Sequence, residues 1–483
     1  MAHGHLPSAV MARHPLDPPG EACGVFGIYS PRQRVSPLIY FGLSALQHRG
    51  QESAGIATSD GNLLTVHRDM GLVAQVFDEP SLAALDGHVG IGHTRYSTTG
   101  ATVWENSQPV HRQIGDTSLA LAHNGNLTNT AELAEGIDGL RSTSDSHVMA
   151  ESIARAVEDG RSDARGLENA ILEVIPTFEG AFCLVAMDQG RLIAARDSNG
   201  FRPLCLGELP DEEGYVVASE TAALDLVGAR YVREVEPGEV LVIDASGVRS
   251  FHPFPKTNPT FCVFEYVYFA RPDTRIGGVS VHAARQRMGV RLAREHPAHA
   301  DLVVPVPESG IPAAQGFSRQ SGIPYGDGLV KNRYVGRTFI EPNQLIRDQG
   351  IRMKLNPIPE NLVGRRVVLV DDSIVRGSTT RKLIRLVRSA GADEVHVRIS
   401  SPPYRWPCFY GMDTGDRSTL IAANMEIDEI RDHIGADSIG YLSVDGLVES
   451  IGNGEGHCTA CLTGEYPAPI PEDSDKLLLE KTR

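Results

Sequence analysis

Two adjacent carboxylates at the end of an apolar run form the most specific chemical pattern in the sequence. Asp371 and Asp372 end the run VVLVDD, and a turn with the sequence RGST precedes a helical pattern. Free backbone N–H groups at a helix start, flanked by hydroxyls, bind a phosphate. The carboxylates would repel that phosphate unless they engage ribose hydroxyls or Mg²⁺, which takes oxygen ligands. The segment therefore predicts a site for a phosphorylated ribose.

Two simpler interpretations of this segment explain less of it. An exposed acidic turn that caps a helix would account for one aspartate, but not for the apolar run before it or the loop after it. A Walker phosphate loop would end in Gly-Lys-Ser/Thr, and that ending is missing here.

Two further segments have residues that suit the same site. Residues 306–310 (VPESG) follow an apolar run, and their turn could offer N–H groups to pyrophosphate. Lys331, Arg333 and Arg337 lie in residues 331–337 (KNRYVGR), which carry no acid in an acidic protein. Such a basic run is usually a solvated loop. Here it favours a lid that closes over a diphosphate leaving group and excludes water.

Cys23 is the candidate nucleophile of the first half. It begins the segment CGVFGIYS after a leader that has four prolines and no apolar centre, unlike a secretory signal. A cysteine thiol has a pKa near 8.5 and needs activation at neutral pH. If the leader were removed, the α-amino group of Cys23 could serve as its base. We therefore expect residues 1–22 to be a propeptide.

The other six cysteines divide into two groups. Cys183 and Cys205 lie in apolar, strand-like runs and are expected to be buried core thiols. The second group is a candidate metal set and comprises Cys262, Cys408, Cys458 and Cys461. The last two form a C-x-x-C pair, although four unrelated thiols would be the simpler interpretation. Zinc and iron–sulfur clusters both accept four thiolates, and the spacing does not separate them.

The elements that must position these residues differ between the two halves. Short apolar runs separated by glycines predict a mainly antiparallel β structure in the first half, with one helical stretch from near Ser144 to residue 160 and another at residues 166–178. The proline-rich residues 250–259 predict a linker. After it, the apolar runs DLVVPVP, RRVVLVDD, EVHVRISS and STLIAAN are expected to be strands that alternate with helices, which predicts a parallel sheet.

Composition restricts the class of protein. The chain has 483 residues, 41% of them apolar, and a net charge of −16. This is ordinary for a globular enzyme of two or three domains, and the acidic surface argues against a nucleic-acid partner. No apolar run approaches the length that spans a bilayer. Without an export signal, we expect a cytoplasmic protein with no membrane partner and no disulfide framework.

Four segments of the first half resemble the class II, or N-terminal-nucleophile, glutamine amidotransferase domain. They are QHRGQESAG (47–55), GHTRYSTTG (92–100), LAHNGNLTN (121–129) and TSDSH (143–147). The resemblance implies that Asn124 and the Gly125 N–H form an oxyanion hole, that Arg95 binds the glutamine α-carboxylate, and that Asp145 binds its α-ammonium. Asn-Gly alone is more typical of a hairpin turn. His147 departs from the family, which often has an acidic residue there.

The second half resembles the type I phosphoribosyltransferases through their phosphoribosyl pyrophosphate (PRPP) motif, which residues 367–380 match. The resemblance implies Mg²⁺ at Ser309, Asp371 and Asp372. The implied PRPP-binding residues are Glu308, Ser309, Gly310, Lys331, Arg333, Arg337, Asp371, Asp372, Arg376, Gly377, Ser378 and Thr379.

Both modules in this order resemble the amidophosphoribosyltransferase family over residues 23–467. The resemblance implies an enzyme, a pentosyltransferase that makes 5-phosphoribosylamine, pyrophosphate and glutamate from glutamine, PRPP and water in purine synthesis. It also implies a homotetramer inhibited by purine nucleotides. In the subgroup with a propeptide and cysteines at these four places, the thiols carry a [4Fe-4S] cluster.

The expected fold is an α+β N-terminal-nucleophile (αββα) glutaminase domain followed by an α/β type I phosphoribosyltransferase domain. The expected boundaries are a propeptide at 1–22, the two domains at 23–250 and 260–467, and a tail at 468–483. A PRPP-sensing regulatory protein is an alternative function, but the complete set of front-half residues argues against it. Other class II amidotransferases would need different second halves, such as sugar isomerase or ATP pyrophosphatase domains.

Overall fold

The computed structural model describes residues 22–97, 99–137, 140, 142–159, 166–332, 354–414, 416–452, 456–471 and 479. The expected propeptide up to residue 21, Arg333 and Arg337 of the expected lid, and most of the expected tail lie outside the described residues. Among the described residues, no helix is both long and apolar enough to cross a bilayer.

The first half contains the antiparallel strands that its sequence predicts. They are β1 (Gly24–Tyr29), β2 (Ser53–Ser59), β3 (Leu64–Met70), β4 (Val89–Arg95), β5 (Val110–Ile114), β6 (Thr117–Leu127), β7 (Gly180–Met187), β8 (Leu192–Arg196), β9 (Cys205–Glu208), β10 (Tyr215–Ala218), β11 (Arg230–Glu234), β12 (Val240–Asp244) and β13 (Gly247–Phe251). One sheet has the order β11-β9-β10-β1-β4-β2-β3, and the other has the order β13-β12-β8-β7-β6-β5.

Helices cover the outer faces of these two sheets. They are α1 (Ser36–Ala45), α2 (Val73–Val76), α3 (Glu79–Ala84), α4 (Thr130–Ala134), α5 (Asp145–Glu158), α6 (Gly166–Val174) and α7 (Thr221–Leu226). One apolar core joins the two sheets, a second lies under α1 and α7, and a third lies under α5 and α6. Because each strand alternates its side chains between two faces, each sheet serves two cores. The result is the expected αββα layering.

The second half is built on a four-stranded sheet. Its strands and helices are β14 (Phe261–Cys262), β15 (Arg275–Ile276), β16 (Val279–Ser280), α8 (Val281–Glu295), β17 (Leu302–Pro305), α9 (Ile311–Ser321), β18 (Leu329–Lys331), β19 (Leu355–Pro357), α10 (Pro359–Leu362), β20 (Arg366–Asp371), α11 (Ser378–Ser389), β21 (Glu394–Ile399), α12 (Ile421–Asn424), α13 (Ile427–Ile434), β22 (Ser438–Tyr441), α14 (Val444–Ile451), β23 (His457–Cys458) and α15 (Ala460–Thr463).

The strands β17, β20, β21 and β22 are all parallel, in the order β17-β20-β21-β22. Helices α8, α9 and α14 pack on one face of this sheet, and α11 and α13 pack on the other. Burial on both faces explains why these strands read as continuous apolar runs rather than alternating ones. The predicted parallel sheet is confirmed.

The expectation of a strand at residues 418–424 (STLIAAN) is wrong. A 3-10 turn at Arg417–Thr419 is followed by α12. The Asp416 side chain accepts a hydrogen bond of 2.8 Å from Ser418 N and so begins the turn. A short apolar run does not by itself distinguish a buried strand from a buried helix. The fourth strand is β22, whose sequence is SIGY.

The predicted linker begins slightly later than its prolines suggested. Ser250 and Phe251 still belong to β13, where Phe251 pairs with Val240. The chain is without helix or strand at residues 252–260 and then forms β14 and a π-helix at Glu265–Phe269. π-helical turns occur frequently at functional sites. This one lies between the two halves of the molecule.

Candidate active sites

Cys23 lies immediately before β1 and is buried, with 6% of its surface exposed. Its Sγ is 3.2 Å from Tyr96 O, to which it donates, and it accepts a hydrogen bond of 3.3 Å from Tyr96 N. Burial raises the pKa of the Cys23 thiol to about 11. While the peptide bond to Ala22 is intact, the thiol is therefore protonated at neutral pH and has no α-amino group to activate it.

Asn124 and Gly125 lie inside the long strand β6 and not in a hairpin turn. Gly125 has φ 151°, and an added Cβ would come within 2.0 Å of Ala181 O, so only glycine fits. The Asn124 amide is buried, and neither its nitrogen nor its oxygen has a hydrogen-bond partner in the described part of the chain. Buried polar groups are normally paired. An amide without a partner, next in sequence to Gly125, is suited to donate a hydrogen bond to a developing oxyanion.

A small cleft is lined by Cys23, Arg95, Gly125 and Asp145. Arg95 ends β4, and Asp145 begins α5. In the described part of the chain, the Arg95 guanidinium makes three long hydrogen bonds, 3.4 Å to Glu52 Oε2, 3.4 Å to Thr99 O and 3.3 Å to Ala101 O. A carboxylate ligand could replace such contacts with shorter ones. Four of the five front-half residues expected from the sequence therefore line one cleft, and the fifth, Asn124, precedes Gly125 in β6.

Asp145 is held as a carboxylate. Burial raises its pKa, but the opposing effects of His123 and of the backbone N–H groups of Leu127 and Ser146 outweigh burial and lower it. His123 Nδ1 lies 3.7 Å from Asp145 Oδ1. An ionised Asp145 in the cleft can pair with an ammonium group.

Two residues of the cleft region were not singled out from the sequence. Glu52 accepts hydrogen bonds from Ser97 N at 3.0 Å and from Arg95, and His123 faces Asp145. Both lie inside the quoted segments QHRGQESAG and LAHNGNLTN. The sequence signal for Glu52 and His123 was a carboxylate or imidazole side chain inside a motif. Their partners are distant in sequence and are seen only in the folded structure.

The paired aspartates lie at the carboxyl end of β20, at the centre of the parallel sheet. Ligands bind at this edge of open α/β sheets. Burial and the neighbouring charge of Asp372 raise the pKa of Asp371 well above its usual range. Asp372 accepts a hydrogen bond from the Ser309 hydroxyl, which follows the adjacent strand β17. Three oxygen-bearing side chains thus gather where the sequence predicted a cation or ribose hydroxyls.

The expected phosphate loop begins the helix α11. Gly377 precedes it with φ 75°, Arg376 is half-buried, and Ser378 and Thr379 are its first residues. This positive φ favours glycine, and a Cβ there would also meet the terminal methyl of Ile421 at 2.5 Å, which would have to move. The backbone N–H groups of this turn are at a helix N-terminus, where anions bind.

The expected pyrophosphate turn lies after the neighbouring strand β17. The peptide bond between Pro307 and Glu308 is cis. Gly310 caps α9, and a Cβ there would come within 2.5 Å of Val370 O. Lys331 Nζ is 3.2 Å from Glu308 Oε2, and both side chains are largely exposed. The described residues of the predicted PRPP set therefore lie around one edge of the sheet.

The four remaining cysteines come together from distant parts of the second half. Cys262 and Cys458 pair in register in the parallel strands β14 and β23. Cys408 packs against the apolar clusters that contain Cys262, Cys461 and Cys458. Burial raises the pKa of Cys262 to about 11 against the opposing charge of Arg202, and the neighbouring thiol of Cys408 adds a smaller upward contribution. Within the described residues, no three such side chains converge on one metal ion.

Cys183 and Cys205 are fully buried in β7 and β9, which confirms that they are core thiols. Their hydrogen bonds go to the backbone, from Cys183 Sγ to Arg202 O at 3.3 Å and from Cys205 Sγ to Ala218 O at 3.3 Å.

The fold and the two sites define a glutamine amidotransferase joined to a phosphoribosyltransferase. A family model described as a glutamine amidotransferase domain matches residues 93–226, and one described as a phosphoribosyl transferase domain matches residues 285–400. The amidophosphoribosyltransferase of Mycobacterium tuberculosis is 54% identical over 475 residues, which cover 95% of this chain and 89% of that protein. This chain belongs to the amidophosphoribosyltransferase family.

Solved structures agree with this assignment. The chain is similar to the glutamine PRPP amidotransferase of Bacillus subtilis, solved in complex with ADP and GMP, with a TM-score of 0.86 and 47% identity over 93% of this chain and 98% of that one. It is also similar to a structure described as the allosteric regulatory enzyme of purine biosynthesis, with a TM-score of 0.87 and 47% identity over 94% of this chain and 98% of that one.

Proposed function

We propose that this chain converts glutamine, PRPP and water into 5-phosphoribosylamine, pyrophosphate and glutamate, the first committed step of purine nucleotide synthesis. One observation carries the proposal. A cleft with a cysteine, an arginine and an aspartate, and a strand end with paired aspartates and a phosphate loop, occur in the same chain. The first site can release ammonia from glutamine, and the second can hold the sugar that ammonia attacks.

In the first half-reaction, the Cys23 thiolate attacks the carboxamide carbon of glutamine. After removal of the leader, the α-amino group of Cys23 takes the thiol proton and delivers it to the departing nitrogen. Asn124 and the Gly125 N–H stabilise the oxyanion, while Arg95 and Asp145 hold the two charged groups of the substrate. Ammonia leaves, and water then cleaves the thioester to give glutamate and the free thiol.

In the second half-reaction, ammonia attacks C1 of PRPP, the bond from C1 to the pyrophosphate oxygen breaks, and the attacking nitrogen loses a proton. The α11 loop binds the 5-phosphate through backbone N–H groups. Asp371 and Asp372 orient the ribose, and Lys331 neutralises the diphosphate. Mg²⁺ held by Ser309, Asp371 and Asp372 would stabilise charge on the leaving pyrophosphate. The buried and mutually repelling carboxylates support this ligand set.

We further propose that Cys262, Cys408, Cys458 and Cys461 ligate a [4Fe-4S] cluster. The support is chemical, because the four thiols are gathered from distant segments, interact with one another and are largely buried. Four thiolates complete such a cluster. None of the four cysteines lines the Cys23 cleft, so we expect the cluster to hold β14 to β23 and stabilise the second half.

Regulation and assembly complete the proposal. The Bacillus subtilis relative was solved with ADP and GMP. We expect purine nucleotides to inhibit this chain as well, and we expect it to assemble as a homotetramer.

The decisive experiment separates the two half-reactions. Cys23→Ala removes the nucleophile without touching the PRPP site, so glutamine-dependent synthesis of phosphoribosylamine should be abolished. Synthesis from free ammonia should persist. If Cys23→Ala retains both activities, Cys23 is not the nucleophile. If the unaltered protein has neither activity, the proposed reaction is wrong.

A further inference from the structure

Four buried charged side chains lie between the two halves of the chain. Arg49, Arg202 and Glu220 belong to the first half, and Glu265 belongs to the π-helix of the second half. All four side chains are 0% exposed. Buried charges are costly unless they are paired, and removing one partner of such a group is strongly destabilising. The group therefore forms one cooperative unit.

Arg49 joins this unit to the nucleophile. Its Nε donates a hydrogen bond of 3.0 Å to the carbonyl oxygen of Cys23. Its two terminal nitrogens donate to Glu265, one at 3.0 Å to Oε2 and the other at 2.8 Å to Oε1. The carboxylate and the guanidinium therefore form a bidentate pair. Glu220 Oε1 accepts a further hydrogen bond of 2.6 Å. These contacts fix the orientation of the planar Arg49 guanidinium.

Glu265 is itself fixed by the second half. Arg285 on α8 donates from Nε to Tyr266 O at 2.7 Å and from its terminal nitrogen to Ala270 O at 2.8 Å, which anchors both ends of the π-helix. Arg202 donates to Glu265 Oε1 at 3.2 Å and to Tyr410 O at 2.8 Å. The carboxylate therefore has little freedom to move.

We propose that Glu265 is a positioning residue for Cys23. Its carboxylate, supplied by the phosphoribosyltransferase half, orients Arg49, which in turn fixes the Cys23 carbonyl. The thiol and the α-amino group of Cys23 share a Cα with that carbonyl, so a rotation of the residue displaces both. The second half thus completes the glutaminase site. This inference rests on the proposed function of Cys23 as the nucleophile.

Without the negative charge of Glu265, Arg49 keeps Glu220 as its remaining carboxylate partner. Glu220 also accepts hydrogen bonds from Thr274 Oγ1 at 2.7 Å and Arg271 N at 3.0 Å, which fix its place. The guanidinium would rotate toward Glu220, and the bond from Nε to Cys23 O would be lost. Arg95 and Asp145 do not belong to this group of contacts. Glutamine should therefore bind normally but react slowly.

The test is the Glu265→Gln substitution in the processed protein, which begins at Cys23 and contains both halves. We expect kcat for glutamine hydrolysis to fall roughly tenfold to a hundredfold, the cost of a misplaced reacting group. The KM for glutamine and the rate of synthesis from ammonia should stay unchanged. Labelling of Cys23 by a diazoketone analogue of glutamine should slow in parallel with kcat.

A matched control separates positioning from loss of stability. Glu168→Gln breaks a comparable pair with two hydrogen bonds, in which Arg249 donates to both carboxylate oxygens at 2.8 Å and 2.9 Å. The Glu168 side chain is buried and the Arg249 side chain is 32% exposed, and the pair does not contact Cys23. This variant should lower stability without changing the ratio of the two activities. If Glu265→Gln does not fold, Glu265→Asp retains the charge on a shorter side chain and should give the same selective loss.

A double-mutant cycle identifies the route of the effect. Arg49→Lys retains the charge but lacks Nε, so it should reproduce the loss, and the combined variant should be no worse than the more impaired single variant. An unchanged kcat in Glu265→Gln, or an equal loss of both activities, would overturn the inference. If Cys23→Ala hydrolyses glutamine at the normal rate, Cys23 is not the nucleophile. In that case the proposed function is wrong, whatever the result for Glu265→Gln.

Discussion

The Ser309 hydroxyl donates a hydrogen bond to the Asp372 carboxylate across 63 residues of sequence. Ser309 follows β17, and Asp372 follows β20, so the bond joins the ends of two neighbouring parallel strands. This contact unites the pyrophosphate turn with the paired aspartates. Two segments that are far apart in the sequence therefore form one site.

Substitution of the paired aspartates should impair the second half-reaction. Asp371→Asn and Asp372→Asn each remove a charge from the ribose and Mg²⁺ region, so synthesis from ammonia and from glutamine should both fall sharply. Steady-state assays with each nitrogen donor measure this. Glutamine binding without PRPP should be unaltered. Normal turnover with PRPP in either variant would contradict the assignment.

The active protein should begin at Cys23. An internal cysteine has no α-amino group, so activity requires removal of the 22 residues that precede it in the sequence. Intact mass spectrometry of the active protein checks this directly. Full glutaminase activity in protein that still begins at Met1 would refute the prediction.

Reactivity of Cys23 should respond differently to pH before and after processing. Burial disfavours the thiolate and raises the pKa to about 11, so alkylation of the unprocessed thiol should increase with pH up to that value. In the processed protein, the α-amino group has an ordinary pKa near 7.7 to 8.0, and reactivity should level off near that range. Iodoacetamide alkylation rates followed by mass spectrometry distinguish the two profiles. Identical profiles would rule out the α-amino group as the base.

Arg95→Lys should weaken glutamine use specifically. A lysine retains the charge but loses the planar fork that matches a carboxylate. We expect kcat/KM for glutamine to fall roughly tenfold to a hundredfold, the scale of about 1.5–3 kcal/mol for hydrogen bonds to charged groups. Arg112→Lys, in a half-exposed pair with Glu151, is the control. A variant with unaltered glutamine kinetics would show that Arg95 does not bind the α-carboxylate.

Protein purified without oxygen should be brown and contain about four iron and four sulfide per chain. Oxygen should bleach and inactivate it together. Cys458→Ser should give poorly folded protein because it breaks the link between β14 and β23, whereas Cys183→Ser should cost only local packing. Stoichiometric zinc without iron in elemental analysis would refute the cluster and leave the catalytic assignment intact.

The sequence by itself determined the residues whose chemistry is local. Two patterns indicate their chemistry through residue type and spacing alone. One is the pair of aspartates between an apolar run and a turn of small residues, and the other is the cysteine at the start of a domain. The antiparallel and parallel halves were also predictable, because apolar runs follow one another with glycine-containing turns in the first half and alternate with helical patterns in the second.

Only the tertiary structure decided what depends on partners distant in sequence. It placed Asn124 and Gly125 inside a strand, where the turn-forming propensity of Asn-Gly is overridden by pairing with β7. It made residues 418–424 a turn and a short helix. It also brought Glu265 to Arg49 across 216 residues. The role of a buried carboxylate depends on the charged side chain that pairs with it. Spacing along the sequence does not show which side chain that will be.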